Sequence, residues 1–348
     1  MNDRKNKYQI VLFASVMLLT FYAVFQKKDL FGIWNAIIRM ELGNFIIAIS
    51  LGLFFVSAEG ITIWYLLVSL GNKCSIWRCI KYSFIGFFYS GITPSATGGQ
   101  PVQLYYMKRD GYKTSDSSVI LMTVALAYKL VLVLIGVCLF FLWYRHLKYF
   151  MKDYIILYFV GLFLNFIVVL AIFVAMRFPN ILIRIAYAFE KGMIRMRIWN
   201  VDSERKERIQ YFVQSYDHTV KFMVEYKRKL LVLFIMTMLQ RCSLFLLTYI
   251  VYRGFHLSGS SMFSIMSLQA AVCISVDMLP VPGAQGITEL VYQTVFVNIF
   301  TKTYLFPSML IIRGINFYFL LFVCGVVTGL TILKNKHIKV VKFKKNKK

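Results

Sequence analysis

The sequence predicts an all-α polytopic membrane protein, with about six transmembrane helices and two re-entrant hairpins arranged as inverted repeats. Three observations predict it. Hydrophobic residues make up 59% of 348 positions and aromatics 17%, with a mean hydropathy of +0.66, which is more apolar surface than a soluble core needs. Apolar runs long enough to cross about 30 Å of hydrocarbon, which takes roughly 20 residues, recur along the chain. Two further apolar stretches are interrupted by glycine- and proline-rich turns, with flanking charges that a simple span does not accommodate.

The spans fall at about 8–25, 44–70, 117–143, 154–176, 230–252 and 306–333. The first begins with Arg4, Lys5 and Lys7 but continues into FYAVFQKKDL. That stretch lacks a small-x-small cleavage site, so the segment is expected to stay as an anchor.

The first interrupted region, 82–107, follows Lys73, Arg78 and Lys81 and precedes Lys108, Arg109 and Lys113. The positive-inside rule puts both of its ends in the cytoplasm. Too short to cross twice, it dips in and returns, with Thr93 to Pro101 at the tip. Non-helical backbone at that depth is tolerated only against protein or a water-filled cavity, so this hairpin is expected to line an internal cavity.

The second region, 262–300, turns at PVPGAQG, Pro280 to Gly286, and has no Lys or Arg at its tip. It reads as a hairpin entering from outside, with two full spans as the alternative. The opposed tips Gly98-Gly99-Gln100 and Gly283-Ala284-Gln285 suggest inverted-topology repeats, the architecture of secondary transporters. Both termini then lie in the cytoplasm.

Residues 1–333 read as one integral-membrane domain. Its linker, 177–229, holds twelve Lys or Arg against six acids, and Ile181, Ile185, Ala188 and Phe189 recur at helical spacing. One face is expected to lie on headgroups. The tail, 334–348, has eight basic residues and no acid; it is expected to be disordered and drawn to anionic lipid.

The net charge of +25 is therefore that of loops facing an anionic leaflet, not of a nucleic-acid binder. Six cysteines without a C-x-x-C and four scattered histidines indicate neither a disulfide framework nor a metal site. No cofactor is expected. No G-x-x-x-x-G-K-[ST], H-E-x-x-H or serine nucleophile elbow occurs, which leaves nucleotide-driven pumping and familiar hydrolytic chemistry without support.

Gly98, Gly99, Gly283 and Gly286 would let backbone N–H groups approach a ligand, and the helix N-termini after each tip suit a phosphate. The same glycines equally serve tight turns. Thr93, Ser95, Thr97, Gln100 and Gln103 offer hydrogen bonds to a headgroup or to the broken backbone, and Pro94, Pro282 and Gln285 complete the tips. Intramembrane charges are candidate functional groups because each costs about 2.5 to 3.5 kcal/mol at mid-span. Glu59, Lys129 and Arg241 lie inside spans, Asp277 and Glu289 flank the second tip, and Arg313 falls near the outer end of the last span. The basic ones would hold a lipid phosphate and the acidic ones a cationic headgroup or a proton; mutual pairing that locks the bundle is the alternative. Tyr105 and Tyr106 read as interfacial aromatics.

GITPSATGGQPVQLYYMKRDG, with LPVPGAQGITELVY further on, resembles the transmembrane region of the lysylphosphatidylglycerol synthase family, the flippase half of the multiple peptide resistance factor, over roughly 8–333. Full-length members add a soluble domain that transfers lysine from lysyl-tRNA to phosphatidylglycerol, and this chain is expected to be the lipid-translocating half without it. The resemblance implies a flippase in the bacterial cytoplasmic membrane that moves an anionic or aminoacylated phospholipid such as lysylphosphatidylglycerol, a function tied to resistance against cationic antimicrobial peptides. The alternatives are a membrane-embedded transferase of the phosphatidylglycerol lysyltransferase type, with Asp277 and Glu289 as bases, a handler of polyprenyl-phosphate-linked lipids, or a scaffold. The expected partners are membrane phospholipid and either a separate synthase or a second copy of the chain, with no nucleic acid.

Overall fold

The computed structural model describes residues 30–93, 96–178, 212–221 and 227–345, with isolated positions 184, 188 and 225. The expected span at 8–25 and the linker residues Ile181, Ile185 and Phe189 lie outside them. Among the described residues every regular element is helical. In order these are α1 (Leu30–Ile38), α2 (Leu42–Ser69), α3 (Ile76–Gly91), α4 (Gly99–Arg109), α5 (Thr114–Met151), α6 (Ile155–Arg177), α7 (Lys227–Gly254), α8 (Met262–Val276), α9 (Ile287–Phe296), α10 (Lys302–Arg313) and α11 (Leu320–Lys345).

Long helices apolar on nearly every side have no polar face to offer water and must sit in lipid or in a protein core. Leu42–Ser69, Lys227–Gly254, Lys302–Lys334 and the 64-residue stretch Thr114–Arg177 are long and apolar enough to cross a membrane. That last stretch would be about 96 Å long as one helix. Instead it folds back at Lys152, which takes φ 47°, so α5 and α6 form two antiparallel spans.

The two interrupted regions are helix-turn-helix hairpins. Their arms, α3 with 16 residues, α4 with 11, α8 with 15 and α9 with 10, reach only about 15 to 24 Å at 1.5 Å per residue. None covers about 30 Å of hydrocarbon, so 262–300 is re-entrant and not a pair of spans.

Contacts between helix ends show which face each hairpin starts from. The Glu41 amide donates to the Gly254 carbonyl at 3.0 Å, so the start of α2 meets the end of α7. Lys229 Nζ donates to the Ser69 carbonyl at 3.1 Å, joining their other ends. Following the chain from there, the first hairpin begins and ends on the face of Ser69 and Lys229, which also carries Arg78, Lys81, Arg109 and Lys334. The second begins and ends on the face of Gly254. Entering from opposite faces, each between two spans, the hairpins form an inverted repeat.

Each hairpin's first arm is pinned to a span by a glycine. A Cβ on Gly60 of α2 would lie 2.4 Å from the Ile80 Cα, and one on Gly161 of α6 would lie 2.2 Å from the Ile274 carbonyl oxygen, so the backbones touch. Buried apolar side chains form one cluster around α2 to α5 and a larger one around α7 to α10. Phe55, Val56, Leu320 and Cys324 join them at the seam.

Three details depart from the sequence-based expectations. The last span is not one regular helix: a π turn, Gly314–Phe319, separates α10 from α11. The tail expected to be disordered continues α11 through Lys345, because no Gly or Pro follows Gly329 to stop the helix. Residues 212–221 do more than lie on headgroups. Ser215 bonds Ser115 at 2.8 Å, Thr219 donates to Asp116 at 2.8 Å and Tyr216 is fully buried, which docks this stretch on the start of α5.

In a cysteine-free background, Lys108→Cys and Met262→Cys are expected to react with a membrane-impermeant maleimide from opposite faces of the membrane. Labelling of both from one face would overturn the inverted arrangement.

Candidate functional site

Both tips converge on an internal cavity of about 550 Å³, lined by Thr97, Gly99 and Gln100 from the first and Val281, Gly283 and Ala284 from the second. The size falls within the roughly 300–1,000 Å³ of small-molecule sites. Helices α2, α5 and α7 and the π turn close its sides.

At the first tip, α3 stops at Gly91, three positions before Pro94, which has no N–H for a helical ladder. Thr93 bridges the break: its hydroxyl donates to the Tyr89 carbonyl at 2.7 Å and accepts from the Gly98 amide at 2.9 Å. The Thr93 side chain is thus spent on backbone. Gly99 is a packing glycine, since a Cβ there would lie 2.1 Å from Ser90 Oγ and 2.8 Å from the Gly86 carbonyl oxygen. Gln100 and Thr97 face the cavity, and Pro94 and Ser95 lie outside the described residues. Gln103 is buried and donates to Glu59 on α2 at 2.6 Å, tying the hairpin to a span.

At the second tip, Pro280 and Pro282 end α8, and Pro282 opens the 3-10 turn Pro282–Ala284. Gly283 and Gly286 take φ 61° and 82°, the left-handed region that glycine enters at least cost. A Cβ on Gly283 would strike the Phe317 ring, but one on Gly286 would meet nothing within 4 Å. Of the four candidate glycines, Gly286 therefore leaves the most open approach to a helix N-terminus, that of α9. Gln285 is buried, and neither atom of its amide has a hydrogen-bond partner within the protein.

The intramembrane charges meet here. Arg313 Nε donates to Glu289 at 2.9 Å and its Nη2 donates to the Gly283 carbonyl at 2.9 Å, so it is turned inward to clamp the second tip. Lys129 of α5 pairs with Asp277, the residue that ends α8. Arg241 of α7 lies 3.7 Å from the same carboxylate and stacks 3.2 Å from the centroid of the Tyr128 ring. Burial of Arg241 to 1% exposure is offset by the carboxylate and by a cation–π contact worth about 2 kcal/mol when desolvated. Its Nε and Nη2 make no hydrogen bond within the protein.

Glu59, Gln103, Lys129, Arg241, Asp277 and Arg313 thus line one cavity, with Glu289 behind Arg313. Sequence reasoning did not single out Tyr128, Gln269, Asn316 or Phe317, which also line it. A signal for Tyr128 was its place beside Lys129, one residue round the helix. Asn316 comes inward through the π turn, a feature often found at functional sites, and its Oδ1 is buried without a partner. Of the interfacial tyrosines, Tyr105 is exposed but Tyr106 is buried at 6%. Among the described residues, no three His, Cys, Asp or Glu side chains come together as metal ligands.

Asp277→Asn leaves Lys129 and Arg241 facing each other without a counter-charge and is expected to cost about 3 kcal/mol or more. Lys129→Met leaves Asp277 its contact with Arg241 and should cost less. Gly99→Val should drive the hairpin arms apart and also lower stability. Thermal melts of the purified variants in detergent check the order; a harmless Asp277→Asn would show the cluster to be incidental.

A comparison with curated proteins gives no match. The family model described as the lysylphosphatidylglycerol synthase TM region matches residues 8–324, a range that takes in both hairpins and every charge in the cavity. That range takes up most of the chain, and the chain belongs to the lysylphosphatidylglycerol synthase TM region family.

Proposed function

We propose that the protein is a lipid translocase. It passes the headgroup of an anionic or aminoacylated phospholipid, such as lysylphosphatidylglycerol, through the cavity between the tips while the acyl chains stay in the bilayer. One observation carries this reading: hairpins from opposite faces meet at one cavity lined by charges of both signs. A headgroup crossing hydrocarbon loses its water, and fixed partners part-way across lower that cost. Arg241 and Lys129 suit the phosphate, whereas Glu59 and Asp277 suit an ammonium group.

Opposed half-penetrating hairpins also suit alternating access, in which one repeat rocks against the other about a site near the midplane. The positive-inside rule makes the face of Arg78, Lys81, Arg109 and Lys334 cytoplasmic. Outward movement of a cationic lipid would reduce the negative surface potential that attracts cationic peptides.

The transferase alternative is less well supported. Its proposed bases, Asp277 and Glu289, are both held in ion pairs, whereas a general base must reach a substrate proton.

Proteoliposomes loaded with fluorescent phosphatidylglycerol or lysylphosphatidylglycerol test the proposal, read as the fraction of label reaching a membrane-impermeant quencher over time. The wild type should exceed protein-free vesicles and return the lipid unchanged. Gln100→Ala should slow translocation about fivefold, the scale of one lost hydrogen bond. Translocation no faster than in empty vesicles sinks the proposal; chemically altered lipid would establish the transferase.

A further inference from the structure

A second cavity, of about 580 Å³, opens on the basic face between the root of the first hairpin and α11. It is separate from the cavity between the tips and shares no residue with it. Four cations line it: Arg78 and Lys81 on α3, Arg109 on α4 and Lys334 on α11. Among the described residues lining it, Asp110 is the one carboxylate, and it is engaged. Its Oδ2 accepts from the Tyr82 hydroxyl at 2.6 Å, and its Oδ1 lies 3.4 Å from Arg109 Nη2. Arg109 is stacked over Tyr106 at 4.5 Å, which holds the guanidinium plane at the rim.

Basic residues on this face follow from the positive-inside rule alone, but their convergence does not. Three helices, one of them from the far end of the chain, bring four cations around one occupied acid. Like charges so gathered repel, and a bound anion relieves that repulsion.

The apolar wall tells which anion. Val327 and Leu330 of α11 line the cavity, and Leu330 continues an exposed stripe with Phe322, Val326 and Leu333 along the lipid-facing side of that helix. The stripe runs from the cations toward the middle of the membrane. Trp77, exposed beside Arg78, suits the same headgroup depth. A free phosphate would use only the cations. A phospholipid would use both, its phosphodiester among the cations and an acyl chain on the stripe.

We infer that this cavity is a binding site for an anionic phospholipid headgroup that clasps the root of the first hairpin to the last span. The lipid bridges α3 and α4 of one repeat with α11 of the other, across a boundary that a rocking motion would have to shear.

The test uses the purified full chain in nanodiscs of phosphatidylcholine, alone or doped with phosphatidylglycerol, read by thermal melting and by native mass spectrometry of retained lipid. Phosphatidylglycerol is expected to raise Tm above that in phosphatidylcholine and to be retained in preference to it. Lys81→Gln with Lys334→Gln should abolish the rise and weaken retention about fivefold per cation removed. Lys81→Arg with Lys334→Arg should keep both, and Lys302→Gln on the opposite face should change neither. The inference falls if the wild type shows no preference for phosphatidylglycerol, a result that does not depend on how the variants fold. It falls also if the rise survives the double Gln change, or if inorganic phosphate alone produces the full rise and phosphatidylglycerol adds nothing, which would make the occupant a free anion.

Discussion

A backbone that breaks inside hydrocarbon must find its hydrogen bonds within the protein, and the rest of this structure depends on that constraint. Each hairpin tip exposes N–H and C=O groups that a continuous helix would have paired, and the structure pairs them with side chains. Thr93 serves the first tip from within its own hairpin. Arg313 serves the second from the following span, reaching the Gly283 carbonyl while its charge is met by Glu289. Close glycine contacts at Gly60 and Gly161 then bring helices near enough for such short reaches.

Among the described residues, the charged groups of the cavity divide into contacts within a repeat and one ion pair between repeats. Glu59 with Gln103 belongs to the first half, and Glu289 with Arg313 to the second. Asp277 is different, because it ends the first arm of the second hairpin yet pairs with Lys129 of the first half as well as with Arg241 of its own. Any movement of one half against the other must stretch or exchange the Lys129 to Asp277 pair. In the proposed translocation cycle a headgroup carrying phosphate and ammonium offers a replacement partner to each side, so binding and movement share one set of charges.

The structure also separates residues that hold the site from residues that face it. Thr93 and Gly99 keep the first hairpin folded, so substitutions there report on folding as well as on transport. Gln100 and Thr97 face the cavity and report on the ligand more directly. The π turn after Arg313 adds a feature the two repeats do not share, since α5, the corresponding span of the first half, is regular beside Lys129.

Sequence alone determined the helical membrane class, five of the described spans and both hairpins, because length, hydropathy and the placement of Lys and Arg act locally and add along the chain. It also singled out the intramembrane charges, since a charged residue in an apolar run stands out wherever it goes. Only the tertiary structure decided their partners. Lys129 and Asp277 are far apart in the chain, and no local pattern distinguishes a pair that closes a cavity from one that merely meets. Tyr128 and Asn316 were illegible for the same reason: an aromatic or an amide in an apolar helix becomes part of a site only when a turn elsewhere rotates it inward. The helical tail and the docking of 212–221 on α5 depended on packing and on uninterrupted backbone hydrogen bonding, which composition does not express.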